Sequence, residues 1–266
     1  MIPSEPSITQ CAYWTLLLVA PNAARKPFID LARNALAFAR EFGVRRFAQE
    51  AQYRLVNRFH ERHLGIETSG MLELASLGIQ NQDSIEYTPI GYKALYCALK
   101  RIPLPASEIS FLDYGCGKGR TLAVAGTFPF RKIVGVELSE QLTAAARSNV
   151  RRMRHRKTPS IEVVTGDAGD FQVPDDTNLI HFFNPFHGKT LEKVVKNIVA
   201  SHTASPRTMY IIYFNKIHFE RIINAEGHRV VKLIHGEHFY PNYSCGIYEL
   251  AGPEGAGGAS DGTPGR

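Results

Sequence analysis

The sequence lacks what would tie it to a membrane, a secretory route or a metal centre. Its longest strongly apolar run, "AYWTLLLVA" at 12–20, is about half the length a transmembrane helix needs. Only Glu5, and no cation, comes before that run, whereas a secretory signal begins with positive charge. The expectation is a cytoplasmic protein with no membrane span. Cys11, Cys97, Cys116 and Cys245 lie far apart and form no CxxC pair, which argues against a zinc site and a disulfide framework. No metal is expected. Neither sign of charge dominates, since the net charge is +6 over 266 residues. That balance permits an acidic or nucleic-acid partner without requiring one. There is no internal repeat.

What is present suits one large domain with an appendage. Apolar residues make up 44% of the chain and charged residues 21%, enough apolar material for a sizeable core. Residues 1–24 read as an irregular start and 27–63 as largely helical. Phe28, Leu31, Ala35, Phe38 and Phe42 recur at helical spacing, and Gly43 breaks the pattern. Phe47, Ala51, Leu55 and Phe59 continue a second apolar stripe, with Arg45, Arg46, Arg54, Arg58 and Arg62 on the other face. Such a charged face is ordinarily solvated. A helix is expected at 90–100.

From 108 onward, apolar runs alternate with helical stretches. "ISFLDY" (109–114), "KIVGVEL" (132–138), "IEVVTG" (161–166), "NLIHFFN" (178–184) and "MYIIYFN" (209–215) read as buried parallel strands, with "HRVVKLI" (228–234) and "SCGIYEL" (244–250) closing the sheet. Helices are expected at 119–126, 139–153 and 188–200. This order predicts an α/β, Rossmann-like fold: a seven-stranded, mostly parallel sheet with helices on both faces. We divide the chain into a helical N-terminal extension (1–84), an α/β domain (85–250) and a Gly/Pro/Ser-rich tail (251–266) expected to be disordered.

The first strand runs into "DYGCGKGR", with Gly115, Gly117 and Gly119 at alternate positions after Asp113. A glycine turn after the first strand of such a sheet is a ligand site. A dinucleotide binder needs GxGxxG, but Arg120 stands at the third position; the phosphate loop GxxxxGK[ST] is absent as well. The spacing D-x-G-x-G-x-G resembles motif I of the class I S-adenosylmethionine-dependent methyltransferases, over roughly residues 87–250. "RFHERHLGIETSGMLELASLGI", "EYTPIGYKAL", the "NPF" after the fourth strand and the final "YEL" are similar to a bacterial group of that family. The Tyr-x-Pro element is distantly similar to non-SET protein-lysine methyltransferases.

The resemblance implies S-adenosylmethionine as the cofactor. It places Gly115, Cys116, Gly117 and Gly119 against the methionine part, with Asp113 near the amino group. Glu137 and Leu138 fall at the ribose, and Asp167 and Ala168 at the adenine. Tyr87 and Thr88 would cover the methionine end. Asn184, Phe186 and Tyr87 would line the transfer site, with Asn184 also in contact with the cofactor. "FNPF" is a partial match to the [DNS]PP[YF] tetrad of amino-group methyltransferases, with the second proline replaced.

These likenesses make the expected enzyme a methyltransferase acting on an amine such as a protein lysine. A small-molecule O-methyltransferase and a non-catalytic cofactor-binding module are the alternatives. Either His187 acts as a general base, or, as lone histidines more often do, it plays a structural part. Tyr240 and Tyr243 in "EHFYPNYS" offer aromatic walls. Thr88 also reads as a helix cap, with Pro89 in the first turn. The run "RSNVRRMRHRK" (147–157) is read as cations at a helix C-terminus, so a nucleic-acid partner is not expected.

Overall fold

The computed structural model describes residues 40, 43–70, 87–214, 229–240 and 243–251. The expectations for 1–24, the 28–42 stripe and residues 252–266 lie outside them, as do the side chains of Phe47, Tyr240 and Tyr243. Within them, helices α1 (Val44–Leu64) and α2 (Tyr92–Leu99) precede strand β1 (Ser110–Tyr114). Then follow α3 (Arg120–Ala125), β2 (Lys132–Glu137), α4 (Glu140–Arg152), β3 (Ile161–Thr165), β4 (Leu179–Phe183), α5 (Gly188–Ala204), β5 (Met209–Phe214), β6 (Arg229–Tyr240) and β7 (Tyr243–Ala251).

The strands form one sheet in the order β3-β2-β1-β4-β5-β7-β6. Neighbours from β3 to β5 run parallel, and β7 runs antiparallel to β5 and β6. β1, β4 and β5 are apolar on both faces because both faces are covered. β3, at the sheet edge, is the more open strand, with Val163 buried and Glu162 and Thr165 exposed. One apolar cluster joins α2 and α3 to Phe111, Ile133 and Phe214; the other joins α5 to Leu112, Val134 and Phe182.

The order reverses at β1, which pairs with β2 on one side and β4 on the other. That reversal opens a crevice at the C-terminal edge. The turn after β1, the end of β2, the turn after β3 and the turn after β4 all reach this edge.

The stripe expected to face inward on α1 points outward instead: Leu55 is 69% and Phe59 66% exposed. The buried positions are Asn57 and Leu64, with Tyr53, His60 and Glu61 half-buried. At the centre of this inward face sits the Arg120 guanidinium, which is 2% exposed. It donates to Thr68 Oγ1 (2.8 Å), Ile90 O (2.8 Å), Ser69 Oγ (3.1 Å) and Glu61 Oε1 (3.3 Å), and it lies 4.5 Å over the Tyr92 ring. A buried cation must be met by acceptors, so the polar face turns in. Leu64 and Ile66 belong to the main core. Thr88 is no helix cap; α2 starts at Tyr92 with Gly91 at its N-cap.

Candidate functional site

Each of the three glycines has a positive φ, 71°, 53° and 80° in turn. A Cβ on Gly115 would overlap Pro185, and one on Gly117 would overlap the Tyr87 ring. Gly119 caps α3 and packs on Ala146. The turn is fastened by Val136 O, which accepts from Gly115 N (2.9 Å) and Cys116 N (3.0 Å). The Cys116 side chain is buried against Gly135, and burial pushes its thiol well up; it is packing rather than a nucleophile.

Glu137, 7% exposed at the end of β2, braces this turn. Oε2 accepts from Gly117 N (2.9 Å) and Oε1 from Ser139 N (2.9 Å). Each oxygen keeps a lone pair in reserve. Burial raises the carboxyl above its ordinary range, opposed by the N–H groups of Ser139, Gly117 and Leu138. Leu138 beside it is 37% exposed.

Asp113 lies directly across from His181 on β4, with Oδ1 and Nδ1 2.7 Å apart and both residues buried. With the carboxyl ionised, Nδ1–H is the donor. Burial raises the Asp113 carboxyl, and His181 and then Thr121 pull it back. Oδ2 has no partner of hydrogen-bond geometry among the described residues, although Thr121 lies near enough to favour the charge.

After β4, Asn184 adopts a left-handed backbone, φ 45°, immediately before a proline, where the α conformations are disfavoured. Strain of this kind collects at functional sites. Its Oδ1 is buried without a partner among the described residues. Tyr87 donates from its hydroxyl to Thr68 O (2.7 Å), and burial pushes its phenol far up, so it stays neutral.

The edge therefore brings Tyr87, Gly115, Gly117, Glu137 and Pro185 together. Thr88 is half-buried beside Tyr87. Phe186 instead turns into the core, 6% exposed, edge-on to Tyr114 and Phe182. Asp167, half-buried, closes its own turn through Oδ1 to Gly169 N (2.7 Å), with Ala168 half-buried between them. His187 is exposed at the N-cap of α5. Among the described residues no group of three His, Cys, Asp or Glu could hold a metal ion, and no helix is long and apolar enough to cross a membrane.

The donor set distinguishes between cofactors. Asp113 Oδ2, Asn184 Oδ1 and the spare lone pairs of Glu137 are all acceptors, suited to ammonium, hydroxyl and sulfonium groups. A pyrophosphate would meet carboxylates, and the nearby cations are engaged elsewhere: Lys118, in the turn itself, donates to Ser69 O (3.2 Å), and Arg120 is committed to the 57–69 segment and Ile90. An α/β sheet edge lined with such acceptors suits a cationic ligand better than an anionic one.

Residues 111–202 match the family model described as a methyltransferase domain. That match covers about a third of the chain and marks residues 111–202, which hold the glycine turn, as a methyltransferase domain, for which S-adenosylmethionine is the cofactor. No curated protein matches the chain. Among solved structures it is similar to an S-adenosylmethionine-dependent methyltransferase from Aquifex aeolicus (16% identity, 59% of this chain and 88% of that one, TM-score 0.45). It is also similar to an RNA methyltransferase from Salinibacter ruber in complex with S-adenosylhomocysteine (16%, 63% and 95%, TM-score 0.46). These likenesses are too distant to bear on the substrate.

Three features escaped the sequence: the Asp113–His181 pair, the Glu137 brace and the Arg120 hub. Only the last left a signal, a single charge opening the otherwise uncharged helix "RTLAVA".

Proposed function

We propose that the protein transfers the methyl group of S-adenosylmethionine to an amine nitrogen, with a protein lysine side chain as the first candidate. The cofactor supplies a carbon already activated by its sulfonium leaving group. The protein's part is to align the nucleophile and exclude water. Gly115 and Gly117 let backbone approach the methionine end, Tyr87 closes over the turn, and Glu137 takes the ribose hydroxyls. Asp113 Oδ2, oriented by His181, accepts from the cofactor's amino group, and Asp167 with Ala168 faces the adenine.

The observation that carries the amine reading is the buried Oδ1 of strained Asn184, which has no partner among the described residues. An amine that has given up its ammonium proton to water donates a hydrogen bond to such an acceptor and keeps its lone pair for attack, and the methylated ammonium forms as the sulfonium bond breaks. Incubation with radiolabelled methyl donor and a size-fractionated lysate tests the class. Label in protein is expected; label confined to small hydroxylated metabolites would contradict it. Asn184→Ala should lower the turnover rate by about 10–100-fold through the lost contact.

A further inference from the structure

Two basic runs that the sequence keeps far apart meet at one end of the molecule. Leu64 O at the end of α1 accepts from Arg154 N (2.7 Å). The Arg154 side chain lies along Gly65, where a Cβ would come within 3.3 Å of Arg154 Cγ. The His63 ring stacks on His155 at 4.3 Å, and the Phe59 ring lies parallel to His63 at 6.2 Å, tilted by 2°. His155 is held at φ 60°, a strained backbone for a non-glycine residue. Phe59 is 66% exposed. Arg58 and Arg62 on α1, and Arg151, Arg152, Arg154 and Arg156 next to His155 in sequence, are all exposed. Among the described residues the carboxylate that meets them is Glu67, 3.7 Å from Arg152.

Helix-end charge does not account for this surface. Each helix C-terminus carries a partial charge of about −0.5, enough to favour one or two cations at each of the two ends that converge here. It gives no reason for an exposed ladder of parallel rings. Clustered cations suit a polyanion, and parallel exposed rings suit planar bases. A duplex keeps its bases stacked inward, and an acidic peptide or a lipid headgroup has no planar ring to offer.

We propose that this end of the molecule binds single-stranded nucleic acid, with phosphates on the arginines and bases on the Phe59–His63–His155 ladder. Each basic run alone reads as a solvated helix end; only their juxtaposition carries the inference. The surface lies about 20 Å, the length of α4, from the edge that holds Glu137. It is therefore an anchoring surface separate from the transfer site, and it does not depend on the acceptor proposed above.

The test is fluorescence anisotropy of the full chain with a labelled oligouridine. Binding should weaken about 50-fold between about 50 and 200 mM salt, as expected for release of about four phosphate contacts at a slope of −0.7 each. Phe59→Ala should cost about tenfold on the single strand and nothing on a duplex of equal length. The double substitution Arg62→Glu, Arg154→Glu should abolish binding of both, with thermal midpoint and cofactor affinity retained as a control for folding. Three outcomes would overturn the proposal. One is no binding at about 100 μM protein, the weak limit of non-specific association. The second is an unaffected Phe59→Ala variant together with equal competition by polyglutamate. The third is sedimentation with phosphatidylglycerol vesicles without binding to oligouridine, which would assign the surface to a membrane.

Discussion

The glycine turn and the inner face of α1 are joined to the same sheet by opposite means. At the turn, backbone does the work: positive-φ glycines, Pro185 and the Tyr87 ring fill the space a side chain would need, and one carboxylate braces the bend. At α1, side chains do it, with Asn57, Glu61, Thr68 and Ser69 all turned toward one guanidinium. The first kind of junction is written in residue type, because only glycine tolerates that backbone without cost. The second is written in hydrogen-bond partners, which no hydrophobic period reports. A helix can therefore be built firmly into a core while presenting its apolar stripe to solvent.

The sharpest way to break this comparison is to remove the guanidinium. Arg120→Met leaves Ile90 O without this donor and the Glu61 carboxylate without its counter-charge, though Thr68 and Ser69 still donate to it, so urea unfolding should show a loss of about 3–5 kcal/mol. Arg120→Lys should recover only part, since an ammonium lacks the planar fork that reaches these acceptors. A loss below about 1 kcal/mol would mean that α1 is held by apolar packing after all.

At the other junction, Glu137→Gln should weaken cofactor binding by about 10–100-fold, the worth of a buried charged acceptor at about 1.5–3 kcal/mol. Its raised carboxyl also fixes a sign. Cofactor affinity should fall on acidification from a higher pH than an ordinary glutamate of about 4.3 would give, and the variant should lack that step. For stability the direction is opposite. A folded-state value above the unfolded one favours the fold below about pH 4.3, and that contribution is lost as pH rises through the folded-state value. Calorimetric titrations and urea curves across pH read the two separately.

Gly115→Ala should cost about 1–3 kcal/mol in stability from its left-handed backbone and reduce cofactor affinity as Pro185 is displaced. The smallest effect is the most telling about α1. Leu55→Gln should change stability by no more than about 0.5 kcal/mol, as for a surface site, whereas a core leucine would cost about 2–5 kcal/mol when truncated.

The strands, their edge and the acidic residues at their ends were legible because buried parallel strands are apolar on both faces and turns need glycine. Asp113, Gly115, Gly117 and Glu137 could be placed at that edge this way, while their binding roles came from the family resemblance. Phe186 was legible as an aromatic after Asn-Pro but not in its direction, because the turn at Asn184 aims it at Tyr114. His181 was visible as a histidine near a strand end, yet its pairing with Asp113 depends on β1 and β4 being neighbours, a long-range fact. Arg120 read as a failed third glycine; its role emerges only once α1 is laid beside α3.

The account rests on the turn at 115–119 and its carboxylates forming a seat for an adenosyl cofactor. Isothermal titration of the full chain with S-adenosylhomocysteine, the product that cannot be consumed, tests this most directly. Saturable binding of one molecule per chain, weakened in Glu137→Gln and in Gly115→Ala, is the predicted result. Absence of binding, or undiminished binding in both variants, would contradict it.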